Sequence, residues 1–109
     1  MSEQDRLAER IEAVLKGKHG ITQRKMFGGV CFMLHGNMVC GTVKDKLMAR
    51  VGSEYQEKAL KLKHVRPMDF TGKPLKGMVY VLPAGIRTKA SLEKWVARAL
   101  EFARTLPRK

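Results

Sequence analysis

The feature that most constrains the fold is Gly36-Asn37, a pair that lies between two apolar runs. Glycine and asparagine accept the left-handed backbone angles of tight turns, so the pattern predicts a β-hairpin with this pair at its turn. Because side chains alternate across a strand, a two-residue turn also fixes which residues share a face. The expected core face carries Val30, Phe32, Leu34, Val39 and Val43. The opposite, softer face carries Cys31, Met33, His35, Met38, Cys40 and Thr42.

The rest of the chain shows both helical and strand patterns. Apolar residues at helical spacing predict a first helix over residues 3–16 and a last helix that begins near Thr88 or Ser91. A third strand is expected over residues 47–51, after a three-residue loop that places Leu47, Ala49 and Val51 on the core face. A two-residue loop would exchange the two faces. Ser53 and Gln56 have the spacing of a capping box at the start of a short helix. Pro67 is expected to end regular structure there, and residues 78–82 predict an interior strand.

These elements follow the order α-β-β-β-α-β(-β)-α, which predicts an α+β fold in two layers. Hairpin connections make neighbouring strands antiparallel, so we expect a mostly antiparallel sheet of four to six strands with helices on one face. A chain of 109 residues is near the commonest domain size. We therefore expect residues 1–109 to form one domain.

An ordered set of short segments resembles the N-terminal domain of the TfoX/Sxy family of competence regulators. The segments are residues 24–29 with the hairpin, residues 66–70 with Gly72, residues 77–81, and Leu92 with Trp95. The resemblance runs from about Thr22 to Pro107 and implies the same fold, with a link to transcriptional regulation, including competence in relatives. Full-length regulators add a C-terminal domain for which this chain has no room, so the resemblance implies a stand-alone N-terminal-like domain.

The charge of the chain is strongly basic and unevenly distributed. Its net charge is +12, from 22 basic and 10 acidic residues. Residues 61–109 hold twelve basic and three acidic residues, which gives +9 for this half. Such a segment attracts nucleic acid, acidic protein surfaces or anionic lipid, and it also keeps a small protein in solution.

The sequence carries no sign of a membrane span or an export signal. No apolar run approaches the roughly 20 residues that cross a bilayer. The first five residues are polar and acidic, unlike a secretory signal. Two cysteines beside seven methionines favour a reducing compartment. We therefore expect a cytoplasmic protein that does not bind membranes.

Patterns for catalysis or metal binding are weak. Cys31 and Cys40 are expected as diagonal neighbours on the softer face, without zinc-site spacing, so we expect free thiols, no metal and no cofactor. Asp69 is an isolated acid in a basic loop. A small enzyme would use it with Arg66 and His64, but such an acid more often caps a turn or pairs with an arginine.

Three groups of residues are candidate contact sites. The first group consists of cations that suit phosphate contacts: Lys61, Lys63, His64, Arg66, Lys73 and Lys76. The chain has few aromatic residues for base stacking. A segment expected to be mainly structural comprises Arg24, Lys25, Met26, Phe27, Gly28 and Gly29. A surface for an unidentified protein, or for a second copy in a homodimer, comprises Cys31, Met33, Met38 and Cys40.

These observations favour a non-enzymatic macromolecule-binding module that acts through protein–protein contacts. The alternative hypothesis is direct nucleic-acid binding by the basic C-terminal half. An enzyme built around Asp69 ranks third.

Overall fold

The computed structural model describes residues 2–26, 28–69 and 74–108. Three α-helices are present in this part of the chain: α1 (Glu3–Leu15), α2 (Ser53–Leu60) and α3 (Lys89–Arg104). The strands are β1 (Ile21–Met26), β2 (Gly29–Leu34), β3 (Asn37–Val43), β4 (Lys46–Arg50), β5 (Val65–Asp69) and β6 (Pro74–Val81). A single 3-10 turn, Pro83–Gly85, precedes α3.

All six strands form one antiparallel sheet in the order β1-β2-β3-β4-β6-β5. The predicted α+β class with a mostly antiparallel sheet is therefore confirmed. β6 lies between β4 and β5, as the apolar residues on both of its faces indicated. Residues 21–26 form an additional strand, β1, which the sequence pattern did not predict.

The three helices pack on one face of the sheet, where they form the main hydrophobic core. Leu7, Ile11 and Leu15 contribute from α1, and Ala59 contributes from α2. From α3 come Leu92, Val96, Ala99, Leu100 and Ala103. These side chains cover strand residues that include Phe32, Leu34, Leu47, Ala49, Val79 and Val81. Burial of this apolar stripe on each helix stabilises the two-layer arrangement.

The first and last helices begin at side-chain caps. Ser2 accepts a hydrogen bond from the Asp5 amide, and the Asp5 side chain accepts one from the Ser2 amide, so α1 starts with a capping box. Gly17 follows α1 with a positive φ of 85°, a conformation common in the residue just after a helix. Thr88 caps α3 by accepting from the Ser91 amide.

The hairpin turn lies one residue earlier than predicted. Leu34 pairs with Asn37, so the turn residues are His35 and Gly36, with φ values of 49° and 86°. Two positive φ values are typical of the type I′ turn that joins twisted strands. Asn37 is instead the first residue of β3, and its buried side chain donates a hydrogen bond to the Pro107 carbonyl at 2.8 Å.

A β-bulge then changes the faces of β3. Phe32 pairs with Cys40 and Met33 pairs with Met38, which leaves Val39 without a partner. Val39 and Cys40 are both fully buried in the main core. Cys40 therefore lies on the helix side, and its predicted place on the softer face is wrong.

The bulge also reverses Thr42 and Val43 relative to the prediction. Val43 packs with the opposite face, while Thr42 is buried opposite Leu47. The following turn, Lys44-Asp45, has two residues instead of the expected three, because Val43 pairs with Lys46. The two one-residue differences cancel, so the β4 residues Leu47 and Ala49 face the main core as predicted.

Two further local predictions are wrong. The N-cap of α2 is Gly52, without a side-chain cap, so Ser53 and Gln56 do not form a capping box. The Gln56 side chain reaches β6 instead, where it accepts from the Gly77 amide at 2.9 Å and donates to the Met78 carbonyl at 3.4 Å. Pro67 does not end regular structure. It lies within β5, and proline is tolerated there because β5 is an edge strand.

Candidate binding surface

The sheet face opposite the helices carries a second, smaller apolar cluster, which we call the methionine face. Its fully buried members are Cys31, Met48 and Met68. The partly buried members around them are Met33, Met38, Val43, Met78 and Tyr80. All eight come from strands, and no helical residue of the described chain belongs to this cluster. The sheet therefore has one face covered by helices and one apolar face formed by strands alone.

The centre of the methionine face is closed by its own side chains. Gly41 lies between Cys31 and Met48 in the strand pairing. A Cβ at Gly41 would come within 3.0 Å of the Met48 methyl carbon and 2.6 Å of the Val30 carbonyl oxygen. The absence of a side chain there lets Met48 lie flat against β3, where it is fully buried. A ligand on this face would therefore contact mainly the partly exposed side chains of Met33, Met38 and Met78, which surround the buried centre.

Basic residues flank this apolar centre. Residues paired across antiparallel strands share a face. Three basic residues pair in this way with members of the methionine face: Arg24 with Cys31, Lys46 with Val43, and Arg66 with Tyr80. The Lys46 ammonium lies 5.7 Å from the centre of the Tyr80 ring. Asp45, the acid nearest in sequence to Lys46, lines a cleft near Pro83 on the helix side.

The charge of one further basic residue is directed elsewhere. Arg50 pairs with Met78, but its guanidinium lies 5.5 Å from the Phe102 ring of α3. Arg24, Lys46 and Arg66 therefore form the basic rim of the methionine face. The described strand residues that pair onto this face include no acid, the Asp69 side chain lying outside the described part.

Only part of the predicted partner surface lies on the methionine face. Met33 and Met38 are partly exposed there, whereas Cys31 is buried at its centre and Cys40 faces the main core. Strand alternation by itself groups Met48 with Arg50, and Met78 with Tyr80. The missing information was which face of β6 joins which face of the hairpin, and that depends on the pairing of β4 with β6, whose partners lie about thirty residues apart in the chain.

Both cysteines are free and buried. Burial raises the pKa of the Cys31 thiol above its ordinary value. Burial and the nearby Cys31 also raise the pKa of the Cys40 thiol. Both thiols therefore remain protonated at neutral pH, and they lie on opposite faces of the sheet. Neither has the exposed thiolate that reactivity requires.

The predicted phosphate-contact residues are only partly brought together. Lys61, Lys63 and Arg66 are exposed along the connection from α2 into the β5 edge. His64 is half-buried with a positive φ of 70°, and its Cβ packs against Gly85. Lys76 is exposed on β6, and Lys73 lies outside the described residues. Leu60 and Leu62, 36% and 46% exposed, are interleaved with these cations.

The segment from Arg24 to Gly29 joins β1 to β2. Arg24 and Lys25 are exposed, the Met26 side chain is not described, and Phe27 lies outside the described residues. Gly28 has a positive φ of 75°, and its carbonyl accepts a hydrogen bond from the Gln4 side chain at 2.7 Å. The glycine pair therefore also anchors the first turn of α1.

The next glycine is restricted by contact. A Cβ at Gly29 would collide with the Thr42 carbonyl and lie 2.8 Å from the Gln4 side-chain nitrogen. Gly28 thus supplies an unusual backbone angle, and Gly29 supplies close approach between strands.

The residues of the enzyme hypothesis do not form a described site. The Asp69 side chain is outside the described part, and the Arg66 guanidinium donates to the Val65 carbonyl. Across the described residues, no three histidine, cysteine or acidic side chains are grouped so as to hold a metal ion. No helix of the described chain is long and apolar enough to cross a membrane.

The sequence profile of the TfoX N-terminal domain matches residues 13–103, which cover most of the 109-residue chain and all six strands. The chain belongs to the TfoX N-terminal domain family. The predicted resemblance is therefore confirmed, and it extends from the end of α1 to the last turn of α3. A search of curated proteins found no match to the chain. Within this TfoX N-terminal domain, the methionine face and its basic rim are the surface features that the helices leave uncovered.

Proposed function

We propose that this TfoX N-terminal domain is a non-enzymatic binding module that docks an acidic, apolar segment of another protein on its methionine face. The observation that carries the proposal is the basic rim, Arg24, Lys46 and Arg66, around an apolar sheet face that no helix of the described chain covers. The TfoX N-terminal domain family is not a known enzyme family, which agrees with a binding role.

Side-chain chemistry supports a protein ligand on this face. Methionine is unbranched and polarizable, so it adapts to different apolar partners better than branched side chains do. Met33, Met38 and Met78 are partly exposed around a buried centre, and Tyr80 adds an aromatic ring with a polar end. Flexible methionines over a closed base are typical of surfaces that bind apolar peptide side chains.

The charge of the rim favours an acidic partner over a second copy of this chain. Face-to-face stacking of two copies would bring two basic rims together, and like charges across an interface weaken association. The net charge of +12 adds to this repulsion. An acidic segment is instead attracted by the basic rim during association, and its apolar side chains pack against the methionines in the complex.

Site-specific photo-crosslinking tests this proposal. A photoreactive amino acid replaces Met33 or Met38 in one pair of variants and exposed Lys94 of α3 in a control, all produced in the cell that naturally makes the protein. We expect crosslinks from positions 33 and 38, and not from 94, to an acidic segment of a second protein. Crosslinks to the protein's own chain, to nucleic acid, or equally from position 94 would overturn the proposal.

Charge reversal provides a second test with a defined probe. The probe is a helical peptide of about twenty residues with leucines on one face and glutamates on the other, titrated by NMR. We expect peptide-induced shifts in the amides of β2, β3 and β6. The Arg24→Glu/Lys46→Glu variant should weaken binding at least tenfold, whereas the helix-side Lys58→Glu/Lys94→Glu variant carries the same charge change and should retain it. Equal losses in both variants would show nonspecific attraction.

Direct nucleic-acid binding is the second candidate, because Lys61, Lys63 and Arg66 are all exposed and take part in no ion pair among the described residues. If these cations contact phosphates, the logarithm of duplex affinity should fall linearly with the logarithm of salt concentration. Replacing all three with alanine should then flatten the slope by roughly three counterions. An unchanged slope would exclude this segment, and no binding at low salt would leave the protein-docking proposal.

A further inference from the structure

A cleft of about 460 Å³ opens at the end of the sheet where the β2–β3 turn meets the ends of α1 and α3. Three parts of the chain form it: the loop after α1, the turn with its flanking strand ends, and the last turn of α3 with the residues that follow. Its lining residues are Gly17, Lys18, His19, Leu34, His35, Asn37, Leu100, Ala103, Arg104, Leu106 and Arg108. The volume lies within the range of small-molecule sites.

The lining of this cleft is basic without any acid. Its five basic side chains are Lys18, His19, His35, Arg104 and Arg108. Three other clefts in the described part of the protein each include acidic side chains. Glu9 and Glu12 line the cleft beside α1, Glu54 and Glu101 line the one between α2 and α3, and Asp45 lines the one near Pro83. Among these four clefts, only the one at the β2–β3 turn is lined by basic side chains without an acidic one.

The negative ends of the α1 and α3 dipoles offset only part of this positive charge. A helix C-terminus carries about half a negative charge, so two of them offset roughly one cation. Lys18, Arg104 and Arg108 alone provide three permanent positive charges, before either histidine is counted. Backbone amides already bond some terminal carbonyls, as Lys18 does with Leu15 and Leu106 does with Ala103. The basic residues are therefore more than helix caps.

Hydrogen bonds and packing position two walls of the cleft. The His35 amide donates to the Gly20 carbonyl at 2.9 Å, and the His35 imidazole lies against Gly20, where a Cβ would come within 2.6 Å of Nδ1. On the other wall, Asn37 donates to the Pro107 carbonyl at 2.8 Å and so fixes the backbone next to Arg108. Cations on backbone that is already positioned lose less entropy when they bind a ligand.

The base of the cleft is apolar. Leu34, Leu100 and Ala103 are buried beneath the basic side chains, and Leu106 is half-buried at the side. An inorganic anion would use only the basic rim of such a site. An anion attached to an organic group would use both parts, since the organic group can cover the apolar base.

We propose that this cleft binds a phosphomonoester, with the phosphate dianion among the basic side chains and the organic group over Leu34, Leu100 and Ala103. Phosphate suits the site because arginine and lysine are its ordinary partners. The residues are distinct from those of the methionine face, so this inference stands independently of the proposed function. The phosphate can belong to a free small molecule or to the phosphorylated end of a nucleic acid.

An NMR titration with phenyl phosphate tests the site, with inorganic phosphate as the comparison ligand and ionic strength held constant with chloride. We expect saturable shifts in the amides of residues 17–20, 34–37 and 103–108, and an affinity at least tenfold higher for phenyl phosphate. Arg104→Gln/Arg108→Gln should weaken binding at least tenfold. Lys58→Gln/Lys94→Gln, which loses the same charge at exposed helical positions, should change it less than twofold.

The absence of saturable shifts, or equal weakening in the two double variants, would overturn the proposal. Both double variants replace exposed side chains, and an unchanged melting temperature verifies that they are folded. A second pair of ligands separates the two sources of phosphate. A nucleoside 5′-monophosphate that binds as tightly as a 5′-phosphorylated oligonucleotide indicates a free small molecule, and a tighter oligonucleotide indicates a chain end. An oligonucleotide that binds equally well without its 5′-phosphate would overturn the proposal.

Discussion

The side-chain amide of Asn37 donates a hydrogen bond to the Pro107 carbonyl, which joins the start of β3 to the segment after α3, seventy residues later in the chain. Asn37 is 4% exposed, so the amide has little access to water if this bond is lost. The bond also explains why asparagine stands at this position although it does not form the turn.

We therefore expect Asn37→Ala to destabilise the protein by about 1 kcal/mol, because it removes the hydrogen bond that this buried side chain donates to the Pro107 carbonyl. The control is Gln23→Ala, which removes a similar amide from an exposed position of β1 and should change stability by less than about 0.5 kcal/mol. Urea denaturation of both variants measures the difference. Equal, small effects would mean that the Asn37 bond contributes nothing.

The two glycines before β2 should respond differently to alanine. Gly28→Ala meets open space and should cost about 1 kcal/mol, the strain of a positive φ. Gly29→Ala should cost more, because its methyl group collides with the Thr42 carbonyl in the neighbouring strand. Chemical denaturation checks this order. Arg24→Ala and Lys25→Ala are the exposed controls, for which we expect changes within about 0.5 kcal/mol; glycine variants with wild-type stability would contradict a structural role for this segment.

Gln56, and not Ser53, should matter for stability near α2. Gln56→Ala removes the side-chain bonds to the Gly77 amide and the Met78 carbonyl, so we expect a loss of about 1–2 kcal/mol. Ser53→Ala removes no cap and should change stability by less than about 0.5 kcal/mol. Thermal unfolding of the two variants compares them directly. A larger loss for Ser53→Ala would restore the capping-box interpretation.

Both thiols should be unreactive in the native protein. Burial raises the pKa of Cys31 and of Cys40, so the thiolate fraction falls below that of an ordinary cysteine at any pH near neutrality. We expect slow modification by an aromatic disulfide reagent at pH 8 and complete modification in denaturant, followed by mass spectrometry. Rapid labelling of the folded protein, or recovery of an intramolecular disulfide, would be inconsistent with thiols buried on opposite faces.

The sequence was sufficient for the parts of the fold that depend on local pattern. The helical spacing of Leu7, Ile11 and Leu15 predicted α1, and the two-sided apolar run of β6 predicted its interior place. The structure differs from the predictions where a residue distant in sequence determines the local contacts. Asn37 lies outside the turn, where its side chain bonds to the Pro107 carbonyl, and the Gln56 side chain bonds to the Gly77 amide instead of capping α2.

The candidate sites follow the same rule. Alternation alone placed Met33 and Met38 on one face, and exposed basic residues could be recognised individually. The bulge at Val39, which moves Cys40 into the main core, leaves no local signal because valine fits either face. The basic cleft at the sheet end was not predicted either. Its residues come from three separate parts of the chain, and only the packing of α1 and α3 against the hairpin brings them together.

The strand order has a consequence for the kinetics of folding. β1 to β4 form a meander in which each strand pairs with the next, whereas β6 pairs with β4 between residues as distant as Leu47 and Val81. Closing that long loop costs entropy before any contact compensates it, so we expect the meander to form first and the α2–β5–β6 unit to dock late. In stopped-flow experiments, Val79→Ala should therefore mainly accelerate unfolding, while Val39→Ala should mainly slow folding. The opposite pattern would mean that the β5–β6 hairpin forms early and that the meander assembles onto it in the rate-limiting step.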